Sequence, residues 1–576
     1  MEMLSLLPPG MVMILGACLV PLLPRHTQGW FALVLAMLSA GHLLLCFEDG
    51  DTLNYAIMGL ELQPIRVDRL SLIFGYVFHI AAVMSTLYAL YAKKSIEHVM
   101  GVAYAGAAVG AAFSGDLISL FIFWELTALT SVFLIWAADT EDALHCGVRY
   151  LVIQVASGVI LLAGTLMHYN QTGSLAFVNF YEQGLTNATT IILWAIAIKA
   201  AFPFLHNWLQ DAYPKATFSG TVFLSAFTTK LAIYALARGY AGFELLIPIG
   251  CVMTAFPIFF AVIENDLRKV LAYSLNNQLG FMVVGIGIGT ALAIDGACAH
   301  AFAHIIYKGL LFMAMGAVLF RVGTTKATEL GGLYRTMPWT TLFCIIGAMS
   351  ISAFPLLSGF AAKSLIASAA GINHYAIVTF VLLFASAGVM EHSGIKIPFF
   401  AFFAHDSGKR PEEAPWNMLA AMAIAATLCI GIGVYPEALY QLLPNYAFDA
   451  STGGTYNAYD VTHVVMQLQL LLFAALAFGV LVRMGAYPSE ERAVNLDFDW
   501  VYRKLIPKTL VGSYHLMSEI GTLAMRPIQT RIQSARQYFT GIMNPRSGVF
   551  GRDAMSSDAA LWSAILLAVY LFIYYI

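Results

Sequence analysis

Charged side chains inside long apolar stretches are the residues of this sequence best suited to chemistry. They are Glu125, Lys199, Lys230, Lys308 and Lys363. A charge at the centre of a bilayer costs about 2.5–3.5 kcal/mol or more and is rarely placed there without a function. The first four lie near the middle of their apolar stretches, which predicts similar depths in a membrane.

Two histidines extend this set along one helix face. His300, His304 and Lys308 are spaced i, i+4 and i+8, which places them in one row within about 12 Å at a rise of about 1.5 Å per residue. Neutral histidine both accepts and donates a proton, and a lysine away from water releases its proton more readily. The row is therefore typical of a proton path.

Metal and cofactor chemistry is not predicted. Two histidines at i and i+4 are common in zinc sites, but the glutamate of the zinc-protease motif is missing and Lys308 would repel a cation. The seven cysteines are isolated, with no C-x-x-C pair for zinc or an iron–sulfur cluster. The sequence also contains no flavin or quinone motif.

Prolines predict two broken helices beside lysines. Pro203 cannot donate a hydrogen bond to the carbonyl of Lys199, and Pro355, which lies eight residues before Lys363, cannot donate one to the carbonyl of Ile351. Both prolines end the tripeptide Ala-Phe-Pro. Broken helices at corresponding places in two halves are typical of transporters built from inverted repeats.

Transmembrane helices must position these residues. Hydrophobic residues make up 60% of the 576 residues and charged residues only 11%, against about 25% charged residues in a soluble domain. Apolar runs of about 20 residues cross a bilayer as helices, and the sequence does not alternate as a β-barrel would. The predicted spans lie at about 4–23, 29–48, 70–92, 97–113, 115–137, 148–168, 189–209, 219–238, 241–263, 272–291, 296–320, 339–370, 373–400, 416–440, 462–484 and 559–576.

The sequence therefore predicts an all-α polytopic membrane protein with about 16 transmembrane helices, two inverted repeats with broken helices, and an amphipathic C-terminal cytoplasmic segment. The formal net charge of -3 excludes a basic surface for nucleic acid. Lys and Arg are concentrated in alternate connections, and such residues collect on the cytoplasmic side. This bias supports the number of spans and predicts that both termini lie outside. The expected location is the inner (cytoplasmic) membrane of a prokaryote, which the protein crosses many times.

The cytoplasmic segment 485–558 is moderately apolar. From Leu510 to Met543 its apolar residues recur at helical spacing, which predicts one or two amphipathic helices along the membrane surface, kinked at Pro527. A peripheral interfacial helix and a helix that docks on another subunit are both consistent with this pattern.

Three stretches, residues 199–216, 265–280 and 300–308, carry a resemblance to a known family. They resemble the proton-translocating antiporter-like subunits of respiratory complex I, membrane hydrogenases and Mrp-type multisubunit Na⁺/H⁺ antiporters. The resemblance covers about residues 65 to 440. Residues 225–230 and 393–403 are most similar to the D-type subunits of the Mrp antiporters, whereas segment 485–558 is similar in arrangement to the lateral helix of the distal complex I subunit.

The resemblance implies a role for each candidate residue. It implies a Glu125–Lys199 pair, a connecting Lys230, a central hydrated axis of His300, His304 and Lys308, and a terminal Lys363 in the second half-channel. The predicted organisation is N-terminal helices (1–96), a first antiporter-like half (97–263), a second antiporter-like half (264–440), a peripheral helix (441–484), an amphipathic surface segment (485–558) and a terminal transmembrane helix (559–576).

The predicted function is that of a membrane subunit of a monovalent cation (Na⁺)/proton antiporter, a secondary transporter rather than an enzyme. Its predicted partners are other subunits of the complex, protons, Na⁺ and the lipid bilayer. One alternative is a proton-pumping subunit of a complex I-like or hydrogenase-type redox complex, which would make it part of a redox-driven translocase. Another is a structural scaffold whose buried charges only fix helix register.

Overall fold

The computed structural model describes residues 5–57, 59–450, 453–485, 495–544 and 554–575. The chain forms two compact units, Met1–Asn495 and Leu496–Ile576. Strands β1 (Thr52–Ile57) and β2 (Leu60–Arg66) form an antiparallel hairpin in the first unit, as do β3 (Phe448–Asp449) and β4 (Gly454–Thr455). The rest of its regular structure is helical.

The α-helices of six or more residues in the first unit are α1 (Met11–Ala17), α2 (Arg25–Cys46), α3 (Arg69–Tyr88), α4 (Ser95–Phe113), α5 (Leu117–Trp136), α6 (Glu141–Thr172), α7 (Asn187–Lys199), α8 (Asn207–Ala212), α9 (Gly220–Ala226), α10 (Thr228–Gly239), α11 (Leu246–Ile263), α12 (Leu267–Ile288), α13 (Ala291–Val322), α14 (Pro338–Ile351), α15 (Ser358–Ile372), α16 (Ala376–Val389), α17 (Trp416–Val434) and α18 (Val461–Arg483). Two π-helical segments, Met390–Ile395 and Phe399–Phe403, follow α16. The second unit contains α19 (Ile506–Ile542) and α20 (Ala554–Tyr575).

Eleven helices in the described part of the chain are long and apolar enough to cross a membrane. Shorter apolar helices lie at Met11–Leu22, Asn187–Lys199, Pro338–Ile351 and Ala560–Tyr574. The predicted helical, multi-pass membrane architecture is confirmed, although two short hairpins are also present. The count of 16 spans and the inverted repeats stay predictions. The interior lies around α10 and α13, since the span Gly220–Gly239 is 100% buried, whereas only 11% of the span formed by α18 is buried.

Aspartates begin several of the helices. Asp68 accepts a hydrogen bond from the backbone N–H of Ser71 at the start of α3, and Asp116 and Asp266 cap α5 and α12 in the same way. A side-chain oxygen at this position satisfies backbone donors that have no partner within the helix. These caps fix where each span enters the bilayer.

The same local structure occurs twice along the chain. Helices α6 and α13 each contain 32 residues, and each ends at a glycine in the left-handed conformation, Gly173 (φ 70°) and Gly323 (φ 82°). Asp116 pairs with Ala176 in an isolated antiparallel bridge, and Asp266 pairs with Lys326. The corresponding residues are about 150 positions apart, so the two halves have a common local plan.

Candidate functional site

Both helix breaks that the prolines predict are present. Between α7 and α8, Ala201 and Phe204 have positive φ angles of 58° and 70°. Between α14 and α15, Ala353 and Leu356 have φ angles of 59° and 69°. This conformation is uncommon outside glycine and costs of order 1–3 kcal/mol per residue, and such strain is concentrated at functional sites. The two breaks therefore share the same backbone conformation at corresponding positions.

Lys199 ends α7 directly before the first break and is completely buried. Its Nζ donates to the carbonyl of Trp124 at 2.6 Å and to the hydroxyl of Thr127 at 3.0 Å, both on α5. The ammonium also lies 4.4 Å from the centre of the Trp124 ring, within the range of a cation–π interaction. The Lys199 ammonium, at the start of the unwound turn, therefore contacts α5 directly.

Glu125 lies next to Trp124 and interacts electrostatically with Lys199. Its carboxylate packs against α6 at Gly158, where an added Cβ would overlap Oε1. Oε1 is buried, and it has no hydrogen-bond partner among the described residues. The absence of a side chain at position 158 thus provides the space in which the carboxylate sits.

Lys230 lies at a third helix interruption, which the sequence does not predict. Helices α9 and α10 are separated at Phe227 (φ -104°, ψ -67°), and the Lys230 ammonium donates to the carbonyl of Ser225 across this point. The backbone N–H of Thr228 donates to the Tyr104 hydroxyl at 3.0 Å. No proline or glycine marks the position, so the sequence predicts one continuous span at 219–238.

The row on α13 is fully buried. Nε2 of His300 lies 2.9 Å from the hydroxyl of Tyr307 and 3.1 Å from Oε1 of Gln278. The ring centres of His300 and His304 are 6.1 Å apart. Within the described part of the chain, both ring nitrogens of His304 and Nζ of Lys308 have no hydrogen-bond partner.

Lys363 lies over the second break. Its Nζ donates to the carbonyl of Ile351, the last residue of α14, at 2.7 Å, and lies 5.1 Å from the centre of the Phe281 ring. Lys199 comes from the segment before its break, whereas Lys363 comes from the segment after its break. Each break therefore has a lysine ammonium beside it. At the first break the lysine precedes the break in sequence, and at the second break it follows.

The structure brings most of the candidate residues together. His304 interacts electrostatically with Lys230, Lys308, His300 and Lys363, so these five residues form one cluster, which we call the central cluster. Glu125 on α5 and Lys199 at the end of α7 form a separate pair. Among the described residues, no group of three or more His, Cys, Asp or Glu side chains is placed to hold a metal ion.

His392 interacts with residues of the central cluster, and the sequence analysis does not predict it as a site residue. It lies in the π-helical segment Met390–Ile395, is completely buried, and interacts electrostatically with Lys308 and Lys363. Its Nδ1 lies 2.8 Å from the hydroxyl of Ser393. π-Helical turns are rare and are frequent at functional sites, but apolar periodicity does not reveal them; only the motif at residues 393–403 pointed to this region.

Further buried polar atoms have no hydrogen-bond partner among the described residues. They belong to Gln154, Asn207, Gln210, Tyr213, Thr229, Asn276 and His392. Buried polar groups are nearly always hydrogen-bonded, and where protein supplies no partner, water does. Water bound at these atoms would supply the missing hydrogen bonds.

The fold and the site define a multi-pass membrane protein with a buried row of titratable groups. The family described as "NADH:quinone oxidoreductase/Mrp antiporter, TM" matches residues 114–389. The D-type subunit of the Na⁺/H⁺ antiporter of Alkalihalophilus pseudofirmus is 31% identical over 355 residues, which are 58% of this chain and 71% of that protein. The chain therefore belongs to the NADH:quinone oxidoreductase/Mrp antiporter family.

Further comparisons agree with this assignment. Hydrogenase-4 component B of Escherichia coli is 26% identical over 418 residues, which are 64% of this chain and 62% of that protein. A chain in the structure of the Mrp complex from Dietzia sp. DQ12-45-1b has the same fold, with a TM-score of 0.77 and 24% identity, covering 90% of this chain and 60% of that chain. This chain thus spans less than two thirds of both of these proteins.

Proposed function

We propose that this chain is the proton-carrying membrane subunit of a multisubunit monovalent cation (Na⁺)/proton antiporter. The observation that carries the proposal is the central cluster, in which His304 and Lys308 are buried without a hydrogen-bond partner among the described residues. A buried polar network of this kind is costly unless it has a function. The 31% identity to the D-type subunit of an Na⁺/H⁺ antiporter supports antiport.

The proposed path begins at the Glu125–Lys199 pair. When the two charges separate in a medium of low dielectric constant, the cost of the lysine charge rises, so its proton moves to the next site. Lys230 receives it and passes it to His300, His304 and Lys308, which hand it to Lys363. The coupling between sites is electrostatic.

We propose two inverted repeats, which the repeated local plan supports, within a chain of 16 membrane crossings. Positions 150, 154 and 158 on α6 correspond to 300, 304 and 308 on α13, since the two helices begin at 141 and 291 and have equal length. Gly158 thus stands where the second half has Lys308. The first half places the Glu125 carboxylate from α5 in the space that the missing side chain leaves. In the proposed halves, 97–263 and 264–440, corresponding positions of α6 and α13 therefore have charges of opposite sign. The first half has the Glu125 carboxylate beside position 158, and the second half has the Lys308 ammonium at position 308.

The proposed setting is the cytoplasmic membrane of a prokaryote, with both termini outside and other subunits of an antiporter complex as partners. The alternative, a proton-pumping subunit of a redox complex, is supported by the 26% identity to a hydrogenase component. Purification of the complex separates the two functions: co-purifying iron–sulfur or flavin absorbance supports the alternative, and a set of membrane subunits without such absorbance supports antiport.

The decisive experiment measures Na⁺-dependent proton exchange in everted membrane vesicles. Lys199→Ala and Glu125→Ala are expected to abolish exchange while the subunit remains in the membrane, because the remaining charge can neutralise by changing protonation. Lys326→Ala, which removes an exposed lysine, is the matched control and should retain exchange. Wild-type exchange by Lys199→Ala would contradict the proposal, and loss of the subunit from the membrane would indicate a structural role for the pair.

A further inference from the structure

A small cavity lies beside Lys363. Its volume open to water is about 50 Å³, and its polar lining consists of Lys363, Ser364, His463 and Gln467 together with Ser386. About 10–15 Å³ of such volume holds one water molecule, so the cavity accommodates several. It therefore joins the last lysine of the proposed path to α18, a helix that the path does not otherwise use.

His463 lies on the first turn of α18 and is held in place by its neighbours. Its Nε2 lies 2.9 Å from the hydroxyl of Ser368 on α15, which in turn lies 2.8 Å from the hydroxyl of Tyr456. Gln467, one turn further along α18, donates to the carbonyl of Ser352 in the second helix break at 3.1 Å. These contacts hold the imidazole between the cavity and the end of the helix.

Asp460 lies on the outer side of the imidazole. Its Oδ2 is 3.9 Å from Nδ1 of His463, and the side chains of His463 and Asp460 are 30% and 53% exposed. Hydrogen bonds from the backbone and side chain of Thr462 lower the pKa of Asp460 below its ordinary value, so that it is a carboxylate at neutral pH. One nitrogen of the ring thus faces the half-buried hydroxyl of Ser368 and the other faces the exposed carboxylate of Asp460.

We propose that His463 and Asp460 form the exit through which protons from Lys363 leave the protein at the membrane face where α18 begins. The loop charges predict that this face lies outside the cytoplasm. The inference rests on the proposed function of the central cluster, and it adds residues beyond the matched family region, which ends at residue 389.

The proposed transfer balances in protons. The Lys363 ammonium gives its proton to water in the cavity, the water gives a proton to one ring nitrogen of His463, and the ring releases the proton of its other nitrogen to Asp460 or to bulk water. Lys363 is left neutral and is ready to accept the next proton from the central cluster. Rotation of the imidazole or exchange of its protons restores the starting tautomer.

The test uses the purified complex in proteoliposomes, with exchange followed in the presence and absence of added imidazole. His463→Ala should lower the exchange rate by at least about tenfold, since loss of a positioned proton carrier costs about 10²–10⁴ in rate, and added imidazole should restore part of it. His463→Gln, which keeps a polar group beside Ser368, should lose exchange with the protein still assembled. Gln469→Ala, at an exposed position of the same helix, should exchange at the wild-type rate.

Lys363→Ala distinguishes failure of the exit from failure of the proposed function. This variant should lose exchange without recovery by imidazole, because the path ends before the cavity. If Lys363→Ala is inactive while both His463 variants exchange at the wild-type rate, the exit is wrong and the function stands. If Lys363→Ala also exchanges normally, the proposed path is wrong. If assembled His463→Ala is inactive and imidazole has no effect, His463 has a packing role and the exit is overturned.

Discussion

Lys308 shows at the scale of one residue why a buried charge indicates function. Its side chain is fully buried on α13, and Nζ lies 5.9 Å from the centre of the Phe312 ring. Nζ has no hydrogen-bond partner among the described residues, so the cost of burying the charge is not compensated there. Lys396 differs in this respect, since it donates to the carbonyls of Val262 and Glu264 at the end of α11.

A proton relay at Lys308 predicts different results from a fixed charge for two substitutions. Lys308→Ala should stop exchange, and Lys308→Arg should also stop it or nearly so, because arginine keeps its proton at a pKa of roughly 12 or higher. Exchange in everted vesicles, normalised to the amount of subunit, measures both. If Lys308→Arg restores full activity, Lys308 acts only as a fixed charge and the relay is wrong at this residue.

Gly158 permits a sharper test of the Glu125 carboxylate. A methyl group at position 158 would overlap Oε1 of Glu125, and the flexible end of that side chain can move away. Gly158→Ala should therefore displace the carboxylate and lower exchange several-fold without loss of the protein. Gly309→Ala is the matched control, since nothing lies within 4 Å of its added Cβ, and alanine in a helix interior is favoured over glycine by about 0.5–1 kcal/mol.

Double substitution shows whether the effect acts through Glu125. Because Glu125→Ala is itself expected to abolish exchange, the double variant is compared by melting temperature. If the overlap with Glu125 is the whole effect, Gly158→Ala should not lower the melting temperature in the Glu125→Ala background. A lower melting temperature of the double variant than of Glu125→Ala would place the effect in helix packing instead.

Helix ends are the elements that fix the depth of these residues. Asp68 caps α3 and also accepts a hydrogen bond from Arg238 of α10 at 2.7 Å. Burial opposes the charge, but the hydrogen bond and charge of Arg238 hold the pKa of Asp68 below its ordinary value. A single carboxylate thus ties the ends of two helices together.

Asp68→Ala should lower the thermal stability of the detergent-solubilised protein, with about 1 kcal/mol expected from loss of the cap alone. Because the folded-state pKa is lowered, the contribution is present above the ordinary pKa near 4 and is lost as the pH falls through the folded value. The difference in melting temperature should therefore be full at neutral pH and shrink in acid. Asp49→Ala, at an exposed loop position, is the control; a difference that does not change with pH would contradict the role of the charge.

At the scale of the whole molecule, α19 is notable because none of its residues is buried in the described part of the chain. It contains 37 residues and runs on through Pro527. The predicted amphipathic helix is therefore present as a single helix of about 55 Å at about 1.5 Å per residue. Its exposed apolar side chains, Met517 and Ile520 among them, suit a lipid surface or a neighbouring subunit.

A cysteine introduced at Met517 should cross-link to a neighbouring protein of the intact complex if α19 docks on it. A cysteine introduced at Glu519, a charged position of the same helix, is the paired control and should react with a water-soluble thiol reagent. Mass spectrometry of the adducts identifies the neighbour. Uniform labelling at both positions without any adduct would contradict docking and leave a peripheral interfacial helix.

The sequence by itself determined the class of fold and the identity of the charged groups. Apolar runs must form helices in a bilayer, because only internal hydrogen bonds satisfy the backbone there. The i, i+4, i+8 spacing of His300, His304 and Lys308 fixes one face of α13, and Pro203 and Pro355 locate two breaks, because proline lacks the N–H that the helix needs. Each of these inferences depends on contacts within a few residues.

Tertiary structure alone decided which groups meet. The central cluster joins elements far apart in sequence, the unpredicted interruption at Phe227 carries no proline or glycine, and His392 enters through a π-helical turn that leaves no mark on apolar periodicity. The cavity that joins Lys363 to His463 depends on how α15 and α18 pack. Such features follow from packing between distant segments, which local spacing does not specify.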